Sequence, residues 1–183
     1  VAEAIARLKP DILEINISCP NVQHELGKPF ACVPHDAAGV TTEVKKCLHA
    51  AKIKIPITVK LSPNVENIVS IAKAVVDAGA DGLTMINTAG PGMAINIETR
   101  KPILTNKVGG ISGPFLKPLA VKMIFDVRKA LPSTPVIGVG GILTGADAIE
   151  MMMAGATLVG IGTGVYFRGV EVFKKCTDEM AKW

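Results

Sequence analysis

The sequence predicts an α/β fold of the (β/α)8 TIM-barrel type, to which this chain contributes about five β/α units. Three observations carry that expectation. Short apolar runs rich in Ile, Val, Leu and Thr alternate with amphipathic stretches along the 183 residues. "GADGLTMINT" at 79–88 and "GATLVGIGT" at 155–163 share one pattern: Gly closes a helix, Ala follows, and a strand ends on a polar residue. "PDILEINIS" at 10–18 repeats it with Pro in the Gly position. Finally, glycine clusters end the last two strands, where barrels commonly seat phosphate. An open doubly wound sheet would carry GxGxxG after its first strand, and none stands there. "GIGTGV" at 160–165 follows the last strand and lacks the third Gly.

Taken in order, Ala2–Leu8 reads as the tail of a helix. Parallel strands are expected over Ile12–Ser18, Ile57–Ser62, Gly82–Asn87, Pro135–Gly141 and Leu158–Gly164, each apolar enough to be covered on both faces. Helices are expected over Thr41–Ala51, over Asn64–Ala78 between Pro63 and Gly79, and over Pro118–Leu131 ahead of Pro132. Two more follow, Ala146–Ala154 before Gly155 and Val170–Lys182. Val22–Gly39 reads as a long surface loop holding Cys32, with His24 and His35 in solvent. A closed eight-stranded barrel takes about 250 residues, and the chain opens at Val1 inside a helix tail. Residues 1–183 are therefore expected to be the C-terminal portion of a single barrel domain.

Composition narrows the function. A chain that is 49% hydrophobic and 20% charged is not disordered. The net charge of +4 is spread without a Lys/Arg block, and aromatics make up only 4%, so nucleic acid is not an expected partner. No apolar run reaches the ~18 residues of a membrane span. Cys19, Cys32, Cys47 and Cys176 form no CxxC pair and no zinc spacing with the histidines, so no metal is expected and a reducing cytoplasm fits.

The strand ends hold the candidate chemistry. Asn16 alternates with Glu14 and Ser18 on one face and is placed to point into the barrel mouth. Cys19 lies just beyond that strand, where it is either a partly exposed thiol able to act as a base or a packed core cysteine. Lys60 interrupts an apolar strand and needs a partner, either Glu14 or an electron-rich ligand. Asn87 and Thr88 supply neutral donors and acceptors of the kind that read an amide-and-carbonyl ring, or else cap a turn. Gly140 and Gly141 with Gly162 and Thr163 end the last two strands ahead of helices, and their bare backbone N–H groups make an anion seat.

"EINISCPN", "VKLSPN", "INT", "GGISG", "GVGGI" and "GIGT", in that order, resemble class 1 dihydroorotate dehydrogenases, most of all the catalytic subunit of class 1B. The resemblance implies a barrel holding FMN, of which the chain supplies the fourth to eighth strands. By it, Cys19 matches the base that takes a proton from C5 of (S)-dihydroorotate while hydride passes from C6 to the flavin, giving orotate in pyrimidine synthesis. Lys60 matches the lysine at the flavin's N1/O2 edge, and Ile86 would lie against the ring. Asn16 matches a residue touching both substrate and flavin; Asn21, Asn87 and Thr88 match substrate contacts. Gly113, Gly140, Gly141, Gly162 and Thr163 match the contacts to ribityl and phosphate. The family's loop after the Cys moves over substrate, which would make Pro29 or Phe30 a lid in place of plain surface. The resemblance further implies a homodimer and, for class 1B, an electron-transfer subunit carrying FAD and a [2Fe-2S] cluster. Two rival readings are a related dihydropyrimidine dehydrogenase barrel acting on uracil or thymine, and a non-redox phosphate-binding isomerase or lyase.

Overall fold

A computed structural model describes residues 1–18 and 30–183. Its centre is a five-stranded, wholly parallel sheet in the order β1 (Leu13–Asn16), β2 (Ile57–Lys60), β3 (Gly82–Met85), β8 (Val136–Val139), β9 (Leu158–Gly160). The order follows the chain without reversal. A doubly wound sheet reverses at a switch point, so this is singly wound, the arrangement of a barrel wall. The helices succeed one another on its outside: α2 (Pro34–Ala50) packs on α3 (Ile68–Asp77), α3 on α4 (Lys117–Ala130), α4 on α5 (Gly145–Met153), and α5 on α7 (Val172–Met180). The sheet and helices meet in a core of Val59, Leu83, Met85 and Val136 against Ile71, Val75, Ile124, Val127 and Met151, all buried.

Local chemistry sets the boundaries. The Asn67 side chain accepts from Ser70 N at 3.1 Å and opens α3, and Gly79 with φ 105° follows its end. Thr144 and Asp147 form a reciprocal capping box on α5. Pro34 opens α2 at a position where its missing N–H costs nothing.

The structure corrects several expected bounds. The ladders are shorter than the apolar runs, although hydrogen bonds continue beyond them, with Leu61 N donating to Thr84 O and Asn87 N to Leu61 O, both at 2.9 Å. The second helix starts at Pro34 instead of Thr41, so residues 34–39 of the expected 22–39 loop are helical; residues 19–29 lie outside the described set. The expected closing helix Val170–Lys182 is found as α7, and an unforeseen short helix, α6 (Gly164–Arg168), precedes it, parted from it by Gly169 at φ 69°. Gly164 therefore starts a helix and does not end a strand. Between β3 and α4 the chain also builds an unforeseen ribbon of nested antiparallel pairs, β4 (Ala89–Gly92) with β7 (Gly109–Ile111) and β5 (Ile95–Asn96) with β6 (Lys101–Pro102). α1 (Ala2–Ala6) begins the chain. No helix among the described residues is long and apolar enough to cross a membrane.

Gly138 on β8 shows how closely helices and sheet approach. A Cβ there would stand 2.5 Å from Met151 Cγ, 2.9 Å from Ala156 Cβ and 3.1 Å from Ile124 Cδ1. Overpacking at such a point costs about 2 kcal/mol. Gly138→Ala should lower the thermal melting temperature clearly in a denaturation scan, whereas Gly39→Ala, with open space around its Cβ, should not.

Candidate active site

The C-terminal strand ends converge on a cavity of about 250 Å³. β2 brings Lys60 to it; the segment after β3 brings Ile86, Asn87 and Thr88. The turn before α4 supplies Ser112, Gly113 and Leu116. β8 and its continuation give Val139, Gly140, Gly141, Ile142 and Leu143, and β9 with the start of α6 gives Gly160, Gly162, Thr163 and Gly164. Nine of the residues predicted for the site thus share one surface: Lys60, Ile86, Asn87, Thr88, Gly113, Gly140, Gly141, Gly162 and Thr163.

Among the described residues lining the cavity, Lys60 alone is charged. Its Nζ stands 3.8 Å from Glu14 Oε1, and Thr84 Oγ1 donates to the other Glu14 oxygen at 2.7 Å. Of the two partners foreseen for Lys60, Glu14 stands beside it, and the side chain also lines the cavity. Asn16, its register partner on β1, does not line the cavity. Its Oδ1 accepts from Ser18 N at 3.2 Å and Ser18 Oγ at 3.1 Å, and Asn87 Nδ2 donates to Ser18 O and Oγ at 3.0 and 2.8 Å. Asn16 is thus tied to the cavity wall through Ser18 and Asn87. Thr88 N donates to Asn87 Oδ1 at 2.8 Å, which fixes that amide from its other end.

The glycine side is bare backbone. Gly140 and Gly141 take φ of 136° and 77°, and a Cβ on them would lie 2.9 Å from Ala120 Cβ and 2.8 Å from Lys117 N. Gly162 faces open space, with nothing within 4 Å of a Cβ. The backbone N–H groups of Gly141, Ile142, Gly162 and Thr163 meet no acceptor among the described residues. Thr163 Oγ1 donates to Ser112 Oγ at 2.9 Å across the cavity's edge. A set of unspent donors at the ends of two strands is suited to an anion.

Behind this wall lies a polar cluster that sequence reasoning misses as a unit. Lys117 Nζ reaches Asp147 and Glu150, each at 2.7 Å. Burial works against the charge on Asp147, yet hydrogen bonds from Lys117, Thr144 and the Leu143 and Thr144 N–H groups hold its carboxyl down to about 2. The T-G-A-D spacing at 144–147 is the available signal, a capping box ahead of an apolar run.

Cys19 and Asn21 lie outside the described residues, as do His24 and Pro29. Cys32 sits in a 3-10 turn, Phe30–Cys32, its Sγ 3.8 Å from Asn64 O. Phe30 is exposed and lies with Val1, Ala2 and His35 along α2, away from the cavity wall. His35 is exposed, as expected.

The family model for dihydroorotate dehydrogenase matches residues 1–183. The chain belongs to the dihydroorotate dehydrogenase family. Among its relatives is the dihydroorotate dehydrogenase B (NAD+) catalytic subunit of Methanocaldococcus jannaschii, 50% identical over 170 residues that cover 93% of this chain and 53% of the relative. The same-named subunit of Halalkalibacterium halodurans is 49% identical over 183 residues, covering all of this chain and 57% of the relative. The crystal structure of the DHODH of Eimeria tenella in complex with ferulenol superposes with a TM-score of 0.79 at 25% identity, over 99% of this chain and 52% of that one. The chain spans about half the length of the curated relatives it matches. The five-stranded sheet is accordingly part of the barrel of this dihydroorotate dehydrogenase family.

The depressed Asp147 carboxyl has a pH consequence. Its folded value lies near 2 against an ordinary 3.8, so the unfolded chain binds the proton more readily. Its stabilisation is complete above about pH 4 and is withdrawn as pH falls through 2. In melts at pH 2 to 7, Asp147→Asn should lie below wild type at neutrality, by roughly 1–2 kcal/mol, and the gap should close toward pH 2.

Proposed function

We propose that this chain forms the FMN- and substrate-binding wall of an enzyme that oxidises (S)-dihydroorotate to orotate in pyrimidine synthesis. One observation carries the reading: a cation, a fixed asparagine amide and a run of bare glycine backbone lie on a single concave surface at the strand ends.

The residues suit FMN. Gly140 and Gly141 bring backbone to where side chains would collide, and the N–H groups of Gly141, Ile142, Gly162 and Thr163 match the oxygens of a phosphate ester. Ile86, Leu116, Val139 and Ile142 supply the apolar lining a flat ring system requires. When bound, FMN supplies the two-electron acceptor for the CH–CH bond of the substrate.

The chain's own residues orient and neutralise. Lys60 places positive charge where the ring's polar edge would lie, with Glu14 beside it and Glu14 in turn held by the Thr84 hydroxyl. Asn87, braced by Ser18 and Thr88, presents a pre-set amide to a pyrimidine ring, together with the Thr88 hydroxyl. Asn16 acts on the same ring through Ser18, and Asn21 adds a further amide. Cys19, just past β1, takes the C5 proton as thiolate. The subunit works as a homodimer in the cytoplasm. It hands electrons to a partner subunit carrying FAD and a [2Fe-2S] cluster, in line with the "B (NAD+)" names of its relatives.

The test begins with the visible spectrum. The purified protein should be yellow, absorbing near ~450 nm, and should turn over dihydroorotate in preference to dihydrouracil. Cys19→Ser should keep the flavin and lose turnover about 10²–10⁴-fold near neutral pH; an unimpaired Cys19→Ser enzyme would move the base elsewhere. A colourless protein that instead binds a sugar phosphate would favour the isomerase reading. Lys60→Gln should retain colour but reduce kcat by about tenfold or more, and an unchanged kcat would remove Lys60 from the ring's edge.

A further inference from the structure

We propose that Arg168 and Glu179, neither of which lines the cavity, are positioning residues that lock the 140–145 loop so that it presents its free N–H groups to the phosphate of FMN; this rests on the FMN reading above.

The polar backbone of this loop divides into two sets. Leu143 N and Thr144 N donate to Asp147 Oδ2 at 3.0 and 2.9 Å, and Gly145 N donates to Glu179 Oε2 at 2.6 Å. Leu143 O accepts from Arg168 Nη1 at 2.6 Å and faces Cys176 Sγ at 3.4 Å. Residues 143–145 are therefore held from behind by side chains. Gly141 N and Ile142 N, the next ones up the chain, meet no acceptor among the described residues and stand on the cavity wall. The pinned set leaves the free set no freedom to turn away.

Arg168 and Glu179 work as one device. Arg168 Nη2 pairs with Glu179 Oε1 at 2.7 Å while Nη1 holds Leu143 O, so a single guanidinium bridges a carboxylate on α7 and the loop's carbonyl. A lysine ammonium, a point donor on a flexible stem, does not reproduce that fork. The hydrogen bond from Arg168, with that from Gly145 N, keeps the Glu179 carboxyl below its ordinary value, so both partners are charged at neutral pH. Packing reinforces the clamp. A Cβ on Gly145 would stand 2.6 Å from Glu179 Cβ and 2.8 Å from Met180 N, which seats α7 directly on the start of α5. On the other flank, Gly164 approaches so closely that a Cβ there would lie 2.7 Å from Ile142 O. A loop held this way loses no ordering entropy when an anion binds, and one that is released does.

The discriminating measurement compares FMN with riboflavin, which has the same ring and side chain but no phosphate. Dissociation constants come from flavin-fluorescence titration of the purified apoprotein, for wild type, Arg168→Met and Glu179→Gln. Wild type should bind FMN far more tightly than riboflavin. Both variants should weaken FMN about tenfold and leave riboflavin within about twofold. Equal weakening of both ligands, as general destabilisation would give, overturns the clamp, and so does unchanged FMN affinity. If wild type binds riboflavin as tightly as FMN, the phosphate seat falls and the clamp with it. Glu179→Gln keeps the size and shape of the side chain, so it decides between these outcomes by itself should Arg168→Met fail to fold.

Discussion

The register of the parallel sheet is the constraint on which the site depends. Asn16 pairs with Lys60, Lys60 with Thr84, Thr84 with Ile137 and Ile137 with Leu158. These residues form one level of the wall. Two residues further along each strand lies the next level, where Ile86 N donates to Val139 O at 2.8 Å and Val139 pairs with Gly160. Ile86, Val139 and Gly160 all line the cavity, and Lys60 stands one level beneath them. Because strand side chains alternate, a slip of one residue on any strand would turn its contribution to the other face. The buried outer faces forbid such a slip: Val59, Leu83 and Val136 are wholly enclosed under the helices. Packing on the outside thus fixes which side chains stand inside.

Glycine does the complementary work where strands pass into helices. At Gly138 the reason is external, since α4 and α5 leave no room for a side chain. Gly140 and Gly141 differ, because there the backbone itself takes positive φ as it turns from β8 toward α5. Gly162 has neither constraint, with open space before it and no positive φ. Its want of a side chain leaves the cavity open, which fits the proposed ligand better than it fits a structural need.

The parallel sheet and most of the wall residues are legible in the sequence because they depend on local signals: apolar runs, Gly after helices, polar residues at strand ends; Ile86 and Gly113 are placed on the wall only by the family resemblance. What depends on distance is not. The 89–111 ribbon has strands of two to four residues, one of them Ala-Gly-Pro-Gly, too short and too irregular to show alternation. The early start of α2 is hidden because Pro34 and Gly39 read as loop residues, although Pro is favourable in a first turn and Gly39 has open space around it. Alternation alone assigns Asn16 to the barrel mouth, and it says nothing of the Ser18 hydroxyl that takes its Oδ1. The pairing of Arg168 and Glu179 with Leu143 and Gly145 spans 25 to 34 residues and has no periodic signature.

Charged side chains stand behind the glycine wall. Asp147, Glu150 and Glu179 all stand close to a surface that would receive an anion, an arrangement that alone would repel it. Two cations offset most of it: Lys117 bridges Asp147 and Glu150, and Arg168 pairs with Glu179. Asp147 and Glu179 are then free to serve as acceptors for loop N–H groups, a task no neutral side chain performs as strongly, while the cations weaken the carboxylates' field. The loop gains rigidity with all but one of the negative charges at its back offset. That separation of orienting groups from binding groups lets bare backbone, with no cationic side chain of its own on the cavity wall between residues 140 and 145, serve as an anion seat.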